Sequence, residues 1–245
     1  LINIPRTLQE RIVIVGAGFA GIALAKKLIG SNYQVVLLDK HNYHTFQPLL
    51  YQVATSGLEP DSIAYPVRKV FQKVENFFFR MATVERIEAA SKSLHTNKGI
   101  LYYDHLVLAT GATTNYFGNK TLEALSMSMK SVTEALDLRS LLIQNLEEAV
   151  EELDEQRRKA LMNIVIVGAG PTGVELAGAL AELKARVLPH DYPDLDFEEM
   201  SIVLVQGANR VLPSMSEKAS KASLKYLKEL QPSIISTYNK KHGLD

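Results

Sequence analysis

Two clusters of glycines are the residues of this sequence whose types and spacing can do chemistry. The string IVIVGAG spans residues 12–18 and recurs, letter for letter, at residues 164–170. Each copy continues to a third glycine, which gives the triplets Gly16, Gly18 and Gly21, and Gly168, Gly170 and Gly173. Between a strand and a helix, such glycines let the backbone approach a dinucleotide pyrophosphate. The repeat therefore predicts two dinucleotide sites in one chain, which is typical of electron transfer.

The first triplet lies within a strand–turn–helix–strand pattern. Residues 11–15 have the composition of a buried strand, residues 21–29 that of a helix, and residues 33–39 that of a second strand ending in Asp39. This order is the βαβ unit of a parallel sheet. An acid about 20 residues after the glycines accepts ribose hydroxyls in dinucleotide folds, so we expect Asp39 to do so. The alternative is a glycine-rich core turn without a ligand.

The second pattern begins at Asn163 and differs from the first at its strand end. Its second strand ends in Gln206 rather than in an acid, and Arg210 follows shortly afterwards. A carboxylate at such a position repels a 2′-phosphate, whereas glutamine hydrogen-bonds the ribose without that repulsion. We therefore predict an NAD(P)H site with weakened discrimination against NADPH. A merely structural repeat is the alternative.

The rest of the chain fits an α/β fold. Residues 41–66 are predicted to be irregular, residues 76–103 to form a small antiparallel excursion, and residues 106–109 to form another buried strand. Apolar residues at helical spacing predict helices within residues 122–161 and over residues 217–230.

Bulk properties exclude several classes of protein. The 245 residues carry no net formal charge, so there is no basic excess for binding nucleic acid. No apolar run approaches the roughly 18 residues that cross a bilayer. The absence of cysteine excludes disulfides, thiolate metal sites and electron relay through a cysteine pair. His41 and His44 lack a third ligand at a recognisable spacing, so we predict no metal site.

Further strings carry a family resemblance. They are HNYHTFQPLLYQVATSG from His41, YDHLVLATGATTNYFG from Tyr103, MKSVTEALDLR from Met129 and GAGPTGVELAGAL from Gly168. On these strings the chain resembles the N-terminal part of a type II NADH dehydrogenase, the single-subunit NADH:quinone oxidoreductase that pumps no protons. That family belongs to the pyridine nucleotide-disulfide oxidoreductase superfamily, and the resemblance implies two Rossmann-like domains, both incomplete in this chain.

The resemblance implies which residues contact each cofactor. Those implied for FAD are Gly16, Gly18, Ala20, Gly21, Asp39, Lys40, Gln47, Leu49, Ala109, Thr110 and Gly111. Those implied for NAD(P)H are Gly168, Gly170, Pro171, Thr172, Gly173 and Gln206. Glu175 is the implied catalytic acid, which positions the nicotinamide or helps proton transfer to a reduced quinone. The alternatives are a core-packing loop for residues 48–51 and, for Glu175, a first-turn acid stabilised by the helix dipole.

The family pattern also implies domain boundaries and partners. It implies an FAD-binding domain over residues 1–120, a helical connection over residues 121–162 and an NAD(P)-binding domain over residues 163–245. The implied electron acceptor is a membrane quinone. Peripheral membrane association, on the cytoplasmic side at the inner face of the cell membrane, would depend on a segment not expected within these residues. Whether the chain forms a homodimer is left open. The tail over residues 231–245 departs from the family's glycine-plus-strand pattern.

Two other functions share the twin glycine motifs. One is a soluble NAD(P)H-dependent flavoprotein reductase of a ferredoxin-like partner, against which the strings from His41 and Met129 argue. The other is an inactive, truncated nucleotide-binding remnant. Disulfide reductases and sulfide:quinone reductases are disfavoured because their cysteines are absent.

Overall fold

The computed structural model describes residues 1–230 and 235–237. The strands, in chain order, are β1 (Arg11–Val15), β2 (Gln34–Asp39), β3 (Tyr43–Thr45), β4 (Ala64–Pro66), β5 (Phe77–Met81), β6 (Val84–Glu88), β7 (Ser93–Thr96), β8 (Gly99–Tyr102), β9 (His105–Leu108), β10 (Ile164–Val167), β11 (Ile202–Gln206) and β12 (Ile235–Thr237). The helices are α1 (Phe19–Lys27), α2 (Leu50–Ala54), α3 (Val67–Val70), α4 (Lys120–Leu125), α5 (Val132–Glu151), α6 (Glu155–Leu161), α7 (Pro171–Arg186), α8 (Leu188–Asp191) and α9 (Glu217–Leu230). Short 3-10 helices span Gln47–Leu49 and Pro60–Ser62. The predicted α/β class is confirmed.

Contacts within the chain divide it into two compact units, and neither is continuous in sequence. The first unit combines residues 1–46 with residues 60–124. The second combines residues 47–59 with residues 125–245. The boundaries implied by the family pattern stay a prediction.

The first unit is built on a parallel sheet of strand order β5-β2-β1-β9. Strand β1 lies between β2 and β9, and all five of its residues are buried. Its side chains alternate between two apolar clusters, so that Ile14 packs on the side of Ile22 from α1, and Val13 on the side of Leu101 from β8. A central parallel strand covered on both faces needs this continuous β-branched run.

Two predictions about the first unit are partly wrong. Residues 76–103 do form an antiparallel sheet of order β6-β7-β8, but β5 joins the main sheet as a parallel strand beside β2. This happens because the aromatic run FFFRM carries Phe79, which is buried against the same cluster as Leu37. Residues 41–66 are not irregular throughout, since β3 pairs with β4 and α2 lies between them in sequence.

The second unit is built on a parallel sheet of order β10-β11-β12, with helix α7 packed against β10, β11 and α9. Helix α2 also belongs to this unit and contacts α5 and α7. The expectation that the tail departs from the glycine-plus-strand pattern is wrong for the strand alone, because β12 (Ile235–Thr237) pairs with β11 from Leu204 to Gln206. The other tail residues, 231–234 and 238–245, lie outside the described part of the chain.

The predicted helical stretch over residues 122–161 is confirmed, with breaks specified by capping residues. Helix α5 begins after Ser131, whose hydroxyl accepts a bond from the Glu134 N–H at 3.2 Å while the Glu134 carboxylate accepts from the Ser131 N–H at 2.8 Å. Burial acts to raise the pKa of Glu134, but hydrogen bonds from Ser128, Lys130 and Ser131 outweigh it and lower the pKa. Helix α6 begins after Asp154, which accepts from a main-chain N–H in the same way.

Candidate functional site

The first glycine turn, residues 16–21, links β1 to α1. Gly16 has a φ of +107°, and a Cβ added there would lie 2.3 Å from the carbonyl oxygen of Ala109. A Cβ on Gly21 would lie 1.8 Å from the carbonyl oxygen of Gly16. A Cβ on Gly18 would meet no atom within 4 Å. The fold therefore requires the first and third glycines, whereas the second leaves open space beside the backbone.

That open space lies at the N-terminus of α1. The first main-chain bond of the helix runs from the Ile22 N–H to the Gly18 carbonyl at 3.0 Å. Earlier amides, including that of the exposed Ala20, therefore have no partner within the helix. No acid occupies the first helical turn. Free amides and the positive end of the helix dipole together form a site for an anion such as a pyrophosphate.

Asp39 closes the turn from the end of β2. Its Oδ2 accepts a hydrogen bond from the Ala17 N–H at 2.6 Å, and its Oδ1 accepts from the His41 N–H at 2.7 Å. A carboxylate offers about four lone-pair positions, so two remain for the hydroxyls of a ribose. The carboxylate is thus held by main-chain bonds and keeps the capacity that the sequence argument assigned to it.

A cavity of about 550 Å³ opens at this end of the sheet. Four residues implied for FAD line it: Gly16, Asp39, Lys40 and Thr110. Residues 82–87, which follow β5, also line it. Sequence analysis missed this segment, although a signal was available. The carboxyl ends of parallel strands meet at one edge of a sheet, and Met81 at the end of β5 pairs with Asp39.

The other residues implied for FAD do not line this cavity. Ala109 directly follows β9, and Gly111 is exposed two residues later. Gln47 and Leu49 belong to the 3-10 helix before α2 in the second unit, where Gln47 Nε2 donates to the Lys130 carbonyl at 3.0 Å. Their roles beside FAD stay predictions.

The second glycine turn, residues 168–173, repeats the geometry of the first in the second unit. Gly168 has a φ of +102°, and a Cβ on Gly173 would lie 1.9 Å from the carbonyl oxygen of Gly168. A Cβ on Gly170 would meet nothing within 4 Å. The Val174 N–H makes the first helical bond of α7, to the Gly170 carbonyl at 3.0 Å. This turn therefore offers the same open space and the same free amides.

Gln206 closes the second turn where Asp39 closes the first. Its Oε1 accepts from the Ala169 N–H at 2.8 Å, and no residue in the described part of the chain accepts from its Nε2. Arg210 follows shortly afterwards: its Nη2 donates to the carbonyls of Pro213 at 2.7 Å and Met215 at 3.0 Å, whereas its buried Nη1 has no partner among the described residues. The side chain that closes this turn is therefore a neutral amide whose Nε2 is left to donate to a ribose substituent.

Helix α7 carries the remaining predicted residues of the second site. Pro171 and Thr172 open the helix and are exposed. Glu175 is its fifth residue and lines a groove of about 780 Å³ between α2, α7 and α9. The small residues Gly178 and Ala179 line the same groove. Burial raises the pKa of Glu175, and the residue lies beyond the first turn of α7, which contains no acid; its catalytic role stays a prediction.

The described residues lack two features, a membrane-spanning helix and a metal-binding cluster. Within residues 1–230 and 235–237, no helix combines the length and the apolar character needed to cross a membrane. The same residues contain no cluster of three or more His, Asp or Glu side chains that could hold a metal ion.

Comparison with known proteins identifies similar sequences and a similar solved structure. A profile of the family "pyridine nucleotide-disulphide oxidoreductase" matches residues 10–234. The chain is 37% identical over 226 residues to the type II NADH:quinone oxidoreductase Ndh of Mycobacterium tuberculosis, which covers 91% of this chain and 49% of the relative. It is 31% identical over 224 residues to the mitochondrial external alternative NAD(P)H-ubiquinone oxidoreductase B2 of Arabidopsis thaliana, which covers 86% of this chain and 38% of the relative. The structure of NDH2 from Plasmodium falciparum in complex with NADH superimposes with a TM-score of 0.87 at 26% identity, covering 94% of this chain and 48% of that one.

The chain thus spans about half the length of the curated bacterial relatives it matches. The resemblance drawn from the four sequence strings is confirmed by these matches. With a matched profile that includes both glycine turns, the chain belongs to the pyridine nucleotide-disulphide oxidoreductase family and is a homologue of the type II NADH:quinone oxidoreductases.

Proposed function

We propose that this chain takes part in an NAD(P)H:quinone oxidoreductase, with FAD bound by the first unit and NAD(P)H by the second. The observation that carries the proposal is the presence of two separate glycine turns, each with free helix amides and its own strand-end side chain. A protein that binds a single nucleotide needs one such turn. Two turns are what hydride transfer from one dinucleotide to another requires.

The first unit fits FAD through the chemistry of its residues. The open space at Gly18 and the free amides of α1 suit a pyrophosphate, which is anionic. Asp39 suits a ribose, and residues 82–87 line the cavity beyond it. When bound, FAD accepts a hydride and returns two electrons to a second acceptor. The protein's contribution is to hold and orient the dinucleotide, which explains why the informative residues are glycines and strand ends.

The second unit fits NAD(P)H by the same argument, with one difference. Gln206 presents an amide rather than a carboxylate, so a 2′-phosphate meets a hydrogen-bond donor and no like charge. We propose that the site accepts both NADH and NADPH. Glu175 is the proposed acid of this unit, because it lines the groove beside α7 and burial raises the pKa of its carboxyl.

The proposed acceptor is a quinone, on the strength of the names of the relatives in Mycobacterium tuberculosis and Arabidopsis thaliana. Because membrane quinones are lipid-soluble, the proposed place of action is a membrane surface, and the family resemblance implies the inner, cytoplasmic face of the cell membrane. The oligomeric state is left open, and sedimentation would test whether the chain forms a homodimer.

Purification of the chain and its visible absorption spectrum test the proposal. We expect flavin bands at near-stoichiometric occupancy, bleaching of those bands by NADH without oxygen, and recovery when a soluble quinone is added. Recovery with a ferredoxin-like protein but with no quinone would favour a soluble reductase instead. A chain that binds neither FAD nor NADH after reconstitution would be a remnant, and the proposal would fail.

A further inference from the structure

The peptide units on both sides of Ala17 are held by side chains in the first glycine turn. The Ala17 N–H donates to Asp39 Oδ2 at 2.6 Å, and the Ala17 carbonyl lies 2.9 Å from His44 Nδ1. A carbonyl oxygen can only accept a hydrogen bond, so Nδ1 is the ring nitrogen that carries the proton in this contact. Two side chains, 22 and 27 residues away in sequence, therefore clamp the residue between the first two glycines.

The surroundings of His44 fix its ring in this position. His44 lies in β3, where it pairs with Tyr65 of β4. Its ring meets the ring of Phe19 edge to face at a centroid distance of 5.1 Å, and Phe19 meets Phe46 in the same way at 5.5 Å. The half-buried imidazole thus makes one aromatic contact, with Phe19, and one hydrogen bond, with the carbonyl of Ala17.

The second glycine turn makes the same pair of bonds with different groups. The Ala169 N–H donates to Gln206 Oε1 at 2.8 Å, and the Ala169 carbonyl accepts from the main-chain N–H of Leu212 at 2.7 Å. His44 and Leu212 come from unrelated segments, yet each donates to the equivalent carbonyl. This recurrence indicates that the turn requires the bond itself rather than any particular residue.

The bond to the carbonyl of Ala17 also orients the next amide. The peptide between Ala17 and Gly18 is planar and trans, so a fixed carbonyl fixes the direction of the Gly18 N–H. That N–H donates to no other residue in the described part of the chain. It belongs to the glycine whose missing Cβ leaves open space.

We propose that His44 is a positioning residue for the dinucleotide turn of the first unit. By donating its Nδ1–H to the Ala17 carbonyl, it holds the Ala17–Gly18 peptide in the orientation that a bound pyrophosphate needs. This role rests on the proposed binding of FAD to that turn. Sequence analysis assigned no role to His44.

Two substitutions separate the hydrogen bond from the packing of the ring. His44→Phe keeps an aromatic ring against Phe19 but removes the donor. His44→Asn removes the ring, yet its amide nitrogen stands where Nδ1 stands and can donate to the same carbonyl. His190→Phe is the control, because it removes an exposed imidazole from α8 in the other unit.

The readouts are the Kd for FAD, from titration of the apoprotein, and the Kd for NADH. We expect His44→Phe to weaken FAD binding by about tenfold, the upper range for loss of one hydrogen bond, and His44→Asn to stay within about threefold of the wild type. NADH binding is expected to be unchanged in all three variants. Nitrogen NMR of the imidazole at alkaline pH is expected to find the proton on Nδ1.

Three results would overturn the role of His44. They are unchanged FAD affinity in His44→Phe, equal weakening by both His44 variants together with a lowered Tm, or a neutral imidazole with its proton on Nε2. If the wild-type chain binds no FAD, the proposed function fails, and amide exchange still decides the positioning role. His44→Phe must then speed exchange of the Ala17 amide and leave that of Ala169 unchanged, or the inference fails too.

Discussion

The two IVIVGAG strings have identical residues but different surroundings. In β1, Val13 and Val15 are 0% and 8% exposed, whereas their counterparts in β10, Val165 and Val167, are 55% and 58% exposed. Strand β1 has a parallel neighbour on each side and an apolar cluster on each face. Among the described strands, β10 pairs only with β11. Since Ile166 of β10 is buried, the same residues form the same turn in two environments, one of which covers both faces of the strand and the other only one.

What stays constant between the copies is set locally. Both first glycines have a positive φ, of +107° and +102°, and both donate their N–H to the second strand at 2.7 Å. What changes is contributed by segments that arrive from elsewhere. Ala109 lies against the first turn, whereas no described atom lies within 4 Å of a Cβ built on Gly168. Local sequence thus determines the backbone angles of the turn, whereas distant sequence supplies its hydrogen-bond partners and determines how tightly it is enclosed.

The largest expected effect comes from adding a methyl group to the first glycine of each turn. Gly168→Ala should lose about 1–2 kcal/mol of unfolding free energy, because alanine is strained at positive φ. Gly16→Ala should lose at least about 3 kcal/mol, because its Cβ would also meet a main-chain oxygen that cannot move aside. Urea unfolding followed by circular dichroism measures both losses. Gly30→Ala is the matched control, since Gly30 has a φ of +76° and open space around it. Equal losses for Gly16 and Gly30 would contradict the enclosure described for the first turn.

The second comparison concerns the side chains that close the turns. Gln206→Glu gives the second turn a carboxylate like that of Asp39, so a 2′-phosphate would meet a like charge. We expect NADPH binding to weaken by about tenfold or more, and NADH binding to change by less than about threefold. Calorimetric Kd values and the kcat/KM ratio for the two nucleotides measure the difference. A wild-type preference for NADH above about a hundredfold, or about 2.7 kcal/mol, would contradict the assignment of relaxed discrimination to Gln206.

The smallest expected effect concerns Glu175, and the segment after the first glycine turn has no acid at the equivalent position. Its folded-state pKa is raised by burial, so the folded state binds a proton more tightly than the unfolded state does. We compare the free energy of unfolding of the wild type with that of Glu175→Gln. The difference should fall as the pH rises from the ordinary carboxyl pKa to above the raised pKa of Glu175. The residue is exposed overall, so we expect less than about 1 kcal/mol between pH 4 and pH 8. Thermal unfolding across that range tests the sign, and unchanged turnover in Glu175→Gln would remove the catalytic role.

Several elements could be predicted from sequence because their signals are local. Helix α9 begins and ends at the predicted residues, Glu217 and Leu230, and Asp39 lies at the strand end that its spacing required. The missed features depend on contacts distant in sequence. Residues 82–87 reach the first cavity because β5 pairs with β2, a pairing that no local pattern announces. His44 acts on a carbonyl 27 residues away, so neither residue alone indicates the bond.

Helix α2 has a consequence for the order in which the chain can fold during synthesis. Its buried residues are Leu50, Val53 and Ala54, and the two helices that α2 contacts, α5 and α7, are translated much later. A nascent chain must therefore carry this short apolar segment without its partners until α5, which begins at Val132, has left the ribosome. Contacts between residues far apart in sequence form slowly, so the apolar residues of α2 stay exposed and can bind chaperones until those contacts form. A gene cut before the codon for Val132 would leave α2 without either of these helices.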